Sequence, residues 1–170
     1  MKIYVKKAWE EFQRVIASLS NEARPEDVFL LIRDWLIKYD KLLLLDGVKE
    51  YSLQKYVELN INYYPIRYSS LKGEELTVFK RNVALSHRDL PGIARIIRDT
   101  LEQLIIVEAD EYCPQCGKYG LGVYQEPHSK QIVLECNQCG YAMYKDKHLY
   151  DGKERLLPAT EESLQISGYI

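Results

Sequence analysis

The sequence predicts an α+β protein: a mainly helical N-terminal body packed on a small C-terminal three-stranded sheet held by cysteines. Three observations predict it. Apolar residues recur at helical spacing in three stretches before residue 107. All four cysteines fall in two Cys-x-x-Cys-Gly turns after residue 112. Between those turns lie two runs with strand character. The expected organisation is a helical body with a short strand region over residues 1–107, the cysteine module over 108–150, and a tail with a short helix over 151–170.

Lys7 to Leu19 reads as the first helix, with Ala8, Phe12, Val15, Ile16 and Leu19 on one face. Ser20 and Asn21 end it. Pro25 suits the first turn of a second helix reaching Tyr39, whose apolar face is Val28, Leu31, Ile32, Trp35, Leu36 and Tyr39. The two make a helical hairpin. Asp46-Gly47 marks a turn, Val48 to Leu59 fits helix or strand, and Asn60 to Ser70 reads as an irregular connection. Glu75 to Leu85 mixes β-branched and aromatic residues with charges and reads as one strand or two short ones. Asp89 is a good N-cap for a helix reaching Val107, with Ile93, Ile96, Ile97, Leu101, Leu104 and Ile105 on one face. This helix is expected to anchor the cysteine module to the helical body. Thr160 could cap a last short helix, with Glu161 and Glu162 in its first turn.

The two turns read Cys113-Pro114-Gln115-Cys116-Gly117 and Cys136-Asn137-Gln138-Cys139-Gly140. Each aims two thiolates at one point, and the glycine after the second cysteine permits the positive φ that such a turn needs. Two facing turns supply four sulfurs in a tetrahedron, which suits Zn²⁺. Gly120–Tyr124 and Gln131–Glu135 read as paired strands joined by a turn at Pro127–Lys130, and Tyr141–Tyr144 adds a third. On these residues the segment Cys113–Tyr144 resembles the zinc-ribbon family. The resemblance implies one structural Zn²⁺ held by Cys113, Cys116, Cys136 and Cys139. An iron site of the rubredoxin type uses the same four sulfurs, and Cys-x-x-Cys also serves thiol exchange, though two pairs outside a βαβ pattern disfavour that use. Ribbons that bind nucleic acid often place Lys or Arg in the turns, whereas this one has Pro114, Gln115, Asn137 and Gln138, with only Lys118 adjoining.

Charge is uneven along the chain. Up to Val107 there are 17 basic and 15 acidic residues; from Glu108 on there are 6 and 10. The acidic metal-bearing part lacks the basic footprint of a nucleic-acid binder. Lys2, Lys6, Lys7, Lys80, Arg81, Arg88, Arg95 and Arg98 do cluster modestly, and Tyr63, Tyr64 and Tyr68 could stack bases. The plainer reading pairs Arg95 and Arg98 with Asp99 and Glu102 on a solvated helix face. His87-Arg88-Asp89-Leu90 matches the start of a protein-kinase catalytic loop, but Ala94 stands where that loop needs Asn, and no Gly-rich loop or Asp-Phe-Gly accompanies it. No Walker loop, dinucleotide fingerprint, nucleophile elbow or His-Glu-x-x-His is present, every cysteine is committed to metal, and a site of four cysteine ligands leaves no open position, so the expectation is a non-enzyme. His128 and His148 lie near the turns and read as surface residues.

Fourteen tyrosines are many for this length, and tyrosine suits surfaces that are both apolar and hydrogen-bonding. The expected role is therefore a protein-binding module. In general character alone, small, acidic and non-enzymatic, the chain resembles bacterial immunity proteins, and the resemblance implies a protein that binds and neutralises a cognate nuclease-type toxin. Expected contacts are Glu108, Asp110, Glu111, Glu126, Asp146 and Asp151, with Tyr119, Tyr124, Tyr141, Tyr144 and Tyr150 as anchors. The alternative is a zinc-ribbon nucleic-acid-binding or transcription-related factor. Met1 to Lys7 has no apolar run behind its charges, Leu42–Leu45 is too short to span a bilayer, and paired reduced cysteines suit a cytoplasmic, membrane-free protein.

Overall fold

The computed structural model describes residues 2–85, 89–152 and 154–170. The chain divides into two units: Met1–Leu59 with Ser69–Leu104, and Asn60–Tyr68 with Ile105–Ile170. His87 and Arg88, from the kinase-like tetrapeptide and the basic cluster, lie outside the described residues.

The first unit is helical. Helix α1 (Lys2–Ser18) and α2 (Pro25–Lys38) form the expected hairpin, with Pro25 opening α2. Trp35 Nε1 donates to the Ala8 carbonyl at 2.9 Å, and Glu11 accepts from Lys38 Nζ and the Tyr39 hydroxyl. Those bonds to Glu11 hold its carboxyl below the usual range, Lys38 contributing most. Beneath them five rings run in contact, Trp9–Phe12–Trp35–Tyr39–Tyr4, with neighbouring centroids 4.9–5.7 Å apart. Short 3-10 turns (Asp40–Leu44, Lys49–Tyr51) and the single-turn helix α3 (Gln54–Val57) follow.

Glu74–Leu85 corrects the sequence expectation: it is helix α4, not strand. Leu76, Phe79 and Val83 are its buried residues, and their spacing of three and four defines a helical stripe. Gln13 on α1 donates to the Val83 carbonyl, and Lys80 Nζ closes the end of α1 by bonding the Leu19 carbonyl and Asn21 Oδ1. Packing against α1 overrides the β preference of Thr77, Val78 and Phe79. Helix α5 (Leu90–Ile105) starts as expected, with Asp89 Oδ1 accepting from the Gly92 N–H. Arg98 pairs with Asp99 and Glu102 and lies over the Tyr51 ring, so the solvated-face reading of that arginine holds.

The second unit carries an antiparallel sheet of five strands, where three were expected. They are β1 (Glu108–Tyr112), β2 (Tyr119–Gln125), β3 (Ile132–Glu135), β4 (Ala142–Tyr144) and β5 (Leu157–Pro158). The order is β1-β2-β3-β4, with β5 also paired to β2. β1 is the acidic step before the first cysteine, and pairing with β2 makes a strand of a segment with weak intrinsic preference. Leu121, Val123, Ile132, Leu134 and Met143 form one face, packed with Ala109, Ala159 and Leu164 of helix α6 (Glu161–Ser167); Cys113 and Cys136 belong to the same core. On the other face Gly122 lets the Tyr124 ring lie close, since a Cβ there would sit 2.7 Å from Tyr124 Cε2. Residues 60–68 form two 3-10 turns, and Arg67 pairs with Glu161. No helix among the described residues is long and apolar enough to cross a membrane.

Thr160 caps α6 as expected: its Oγ1 accepts from the Ser163 N–H at 3.2 Å. Thr160→Ala is expected to cost about 1 kcal/mol of stability. The loss should show as a lower denaturant midpoint at unchanged slope.

Candidate metal centre

Each cysteine turn is built by local backbone bonds. The Gly117 N–H donates to the Cys113 carbonyl and the Gly140 N–H to the Cys136 carbonyl, both at 2.9 Å. The two glycines sit at φ +74° and +71°, a region that costs an ordinary residue steric strain. The Cys113 N–H then bonds the Lys118 carbonyl, and the Cys136 N–H the Tyr141 carbonyl, so each turn is tied to the strand that leaves it. The β2–β3 pairing brings the two turns together.

The structure gathers all four predicted ligands. The sulfurs of Cys113, Cys116, Cys136 and Cys139 lie within 4.8 Å of one another and can hold a metal ion. Two separations between the turns are 3.6 Å, Cys113–Cys139 and Cys116–Cys136. A tetrahedral ion with bonds of about 2.3 Å to sulfur needs sulfurs about 3.8 Å apart. The cluster therefore fits such an ion, and all four cysteines are free thiols. Cys113 and Cys136 are 2% and 1% exposed, whereas Cys116 and Cys139 are exposed.

Backbone amides prepare the sulfurs for negative charge. Burial raises the Cys136 thiol, but the N–H groups of Cys139 and Gln138, together with the Cys116 and Cys139 thiols, bring the value down to about 7. The Tyr141 N–H lowers Cys139, yet partial desolvation and the other three thiols push it up to about 12. Cys116 is likewise raised: the Lys118 N–H and the Cys139 thiol favour its thiolate, and desolvation with the Cys136 and Cys113 thiols disfavours it.

The expected contact residues are more scattered. Glu108 and Asp110 are exposed on β1. Glu111 is half-buried and paired with Lys147, and Glu126 is half-buried, its carboxylate taken by the Ser129 side chain and N–H, which lowers it. Asp146 pairs with exposed His148, while exposed His128 pairs with Glu154, so both histidines sit on the surface. Asp151 is exposed. Tyr119 is 51% exposed, whereas Tyr124, Tyr141, Tyr144 and Tyr150 are half-buried, and Tyr144 and Tyr150 meet edge-on. Tyr112, which the sequence reading did not single out, is 69% exposed and packs on Tyr119 with centroids 4.9 Å apart. The available signal was that Tyr112 and Tyr119 flank one turn; the structure pairs them in register across β1 and β2. Asp110 accepts from the Tyr119 hydroxyl and raises its pKa.

In the helical unit, a cavity of about 10 Å³ walled by Trp9, Trp35, Leu36, Leu53 and Ile97 has room for about one water. Comparison with known protein families, curated proteins and solved structures finds no match for this chain.

Proposed function

We propose that one Zn²⁺ occupies the four-cysteine cluster as a structural ion, and that the chain is a non-enzymatic protein-binding module of the cytoplasm. Its specific role in this reading is that of an immunity protein that binds and neutralises a basic, nuclease-type toxin. The observation that carries the reading is the exposed Tyr112–Tyr119 pair beside Asp110 and Glu108 on the β1–β2 edge. Two packed tyrosines offer rigid apolar area at little entropic cost, as interface anchors do. The neighbouring carboxylates complement a cationic, nucleic-acid-binding cleft and would speed encounter with it. Lys80, Arg98 and Arg67 are engaged in internal bonds, which weakens the competing case for a phosphate-tracking surface.

The test is calorimetric titration with the protein encoded by the adjacent gene, with that protein's nuclease activity followed in parallel. A stoichiometric complex that abolishes cleavage is expected, and Tyr112→Ala should weaken it by about 2 kcal/mol, roughly 30-fold. The nucleic-acid-binding or transcription-related alternative draws on Tyr63 and Tyr68, 63% and 45% exposed, with the Arg67 guanidinium over the Tyr68 ring. Absence of the protein complex, together with salt-steep retention of RNA or DNA on a filter, would establish that alternative instead.

A further inference from the structure

We propose that the Tyr112–Tyr119 ring pair and the Asp110 carboxylate form a seat for an arginine side chain of a basic protein partner. The inference deepens the protein-binding reading above and rests on it, because it names the side chain that this surface takes. All three residues belong to the second unit, on β1 and at the start of β2. β1 ends the sheet, and among the described residues it pairs with β2 alone. The two rings are tilted by 58° to each other, so neither face is fully covered by its neighbour, and both residues are exposed. A tyrosine face carries negative potential and attracts a cation.

The carboxylates beside the rings point the same way. Asp110 accepts from the Tyr119 hydroxyl, which uses one of about four acceptor positions on that carboxylate. Glu108 stands two residues earlier, about 7 Å along the strand. Its carboxylate lies over Gly120, where a Cβ would come within 3.0 Å of it. Elsewhere in this unit Glu111, Asp146, Glu154 and Glu161 are paired with Lys147, His148, His128 and Arg67. Among the described residues no ion pair engages Asp110 or Glu108.

Two carboxylates without a cation, beside two tilted rings, suit a cation that also has a flat face. A guanidinium is planar, stacks on an aromatic ring and donates a fork of N–H groups to a carboxylate; an ammonium is compact and more strongly hydrated. A second copy of this chain offering the same patch would set carboxylate against carboxylate. Nucleic acid would bring phosphates to the same negative charges. The occupant is therefore an arginine on a basic protein surface.

The experiment titrates acetyl-Gly-Arg-Gly-amide, and its lysine and citrulline counterparts, into the ¹⁵N-labelled full chain and follows amide shifts. The arginine peptide is expected to bind in the millimolar range and to move the amides of Asp110, Tyr112 and Tyr119. The lysine peptide should bind severalfold more weakly, and the citrulline peptide, similar in shape but uncharged, should not bind. Asp110→Asn should weaken the arginine peptide about tenfold and Tyr112→Leu about threefold. Glu162→Gln removes the same charge at an exposed position of α6 and should leave binding unchanged. Shifts centred elsewhere, lysine bound as tightly as arginine, or parent-like binding by Asp110→Asn would each overturn the seat. Arginine binding at these amides without any complex with the adjacent gene product would overturn the immunity reading and keep the seat. A complex with that protein, while the arginine peptide leaves these amides unmoved, would do the reverse.

Discussion

Cys136→Ser is expected to abolish stoichiometric metal binding and to unfold the sheet of the second unit. Cys136 is the cysteine with the most to lose. It is 1% exposed, its sulfur takes N–H bonds from Gln138 and Cys139, and its side chain belongs to the core that includes Leu134 and Met143. Serine offers a shorter, harder, protonated oxygen in place of a thiolate. Structural zinc contributes about 10–16 kcal/mol of apparent binding energy in small zinc domains. Entire domains are stable by about 5–15 kcal/mol. A small sheet that loses such an ion cannot remain folded on its apolar core alone. Elemental analysis should find no bound metal, and the amides of β2 and β3 should lose exchange protection. Asn137→Ala, at an exposed position of the same turn, should change neither reading. Full metal content in Cys136→Ser would rule out the four-sulfur site.

Acid should reproduce the effect of the substitution. An ion held by four cysteines needs thiolates, so protons compete with it and would release it as pH falls. In the metal-free protein the groups oppose each other. Cys136, depressed to about 7, contributes stability that is complete above the unfolded thiol value of about 8.5 and is lost as pH falls through about 7. Cys139, raised to about 12, contributes in the other direction: its share is complete below the unfolded value and is lost as pH rises toward 12.

The four-cysteine cluster was the most legible part of the chain, for a physical reason. A Cys-x-x-Cys-Gly turn is specified by five adjacent residues, and its geometry depends little on what packs around it. The caps were legible on the same ground, since Asp89 and Thr160 each bond an N–H three residues on. What failed depended on distant partners. Thr77, Val78 and Phe79 carry β preference, and only packing against α1 makes a helix of them. Glu108–Tyr112 has weak strand character by itself, and its pairing with β2 is non-local. Trp9 was missed on α1 because the buried stripe is wider than the row through Ala8, Phe12 and Ile16. The surface was read at the level of its charge, but the side-chain directions that half-bury Tyr124 and Tyr144 follow from strand register, which no single segment encodes.

In the helical unit the largest loss is expected from Phe12→Ala. Phe12 is fully buried and sits within the five-ring row, 5.2 Å from Trp9 on one side and 4.9 Å from Trp35 on the other. Truncation of a buried phenylalanine costs about 3–5 kcal/mol through lost transfer energy and the cavity left behind. Two aromatic contacts worth about 0.5–1.5 kcal/mol each disappear with it. The row cannot close over the gap, because Trp35 is tethered by its N–H to the Ala8 carbonyl and Tyr39 by its hydroxyl to Glu11. The cost should therefore fall at the upper end of that range. Phe12→Leu keeps much of the volume and should recover most of the loss, with the remainder reporting the ring–ring contacts. Denaturant titration followed by tryptophan fluorescence reads both, since Trp9 and Trp35 flank the substituted position. Equal midpoints for Phe12→Ala and the parent chain would mean that this aromatic row does not hold α1 to α2.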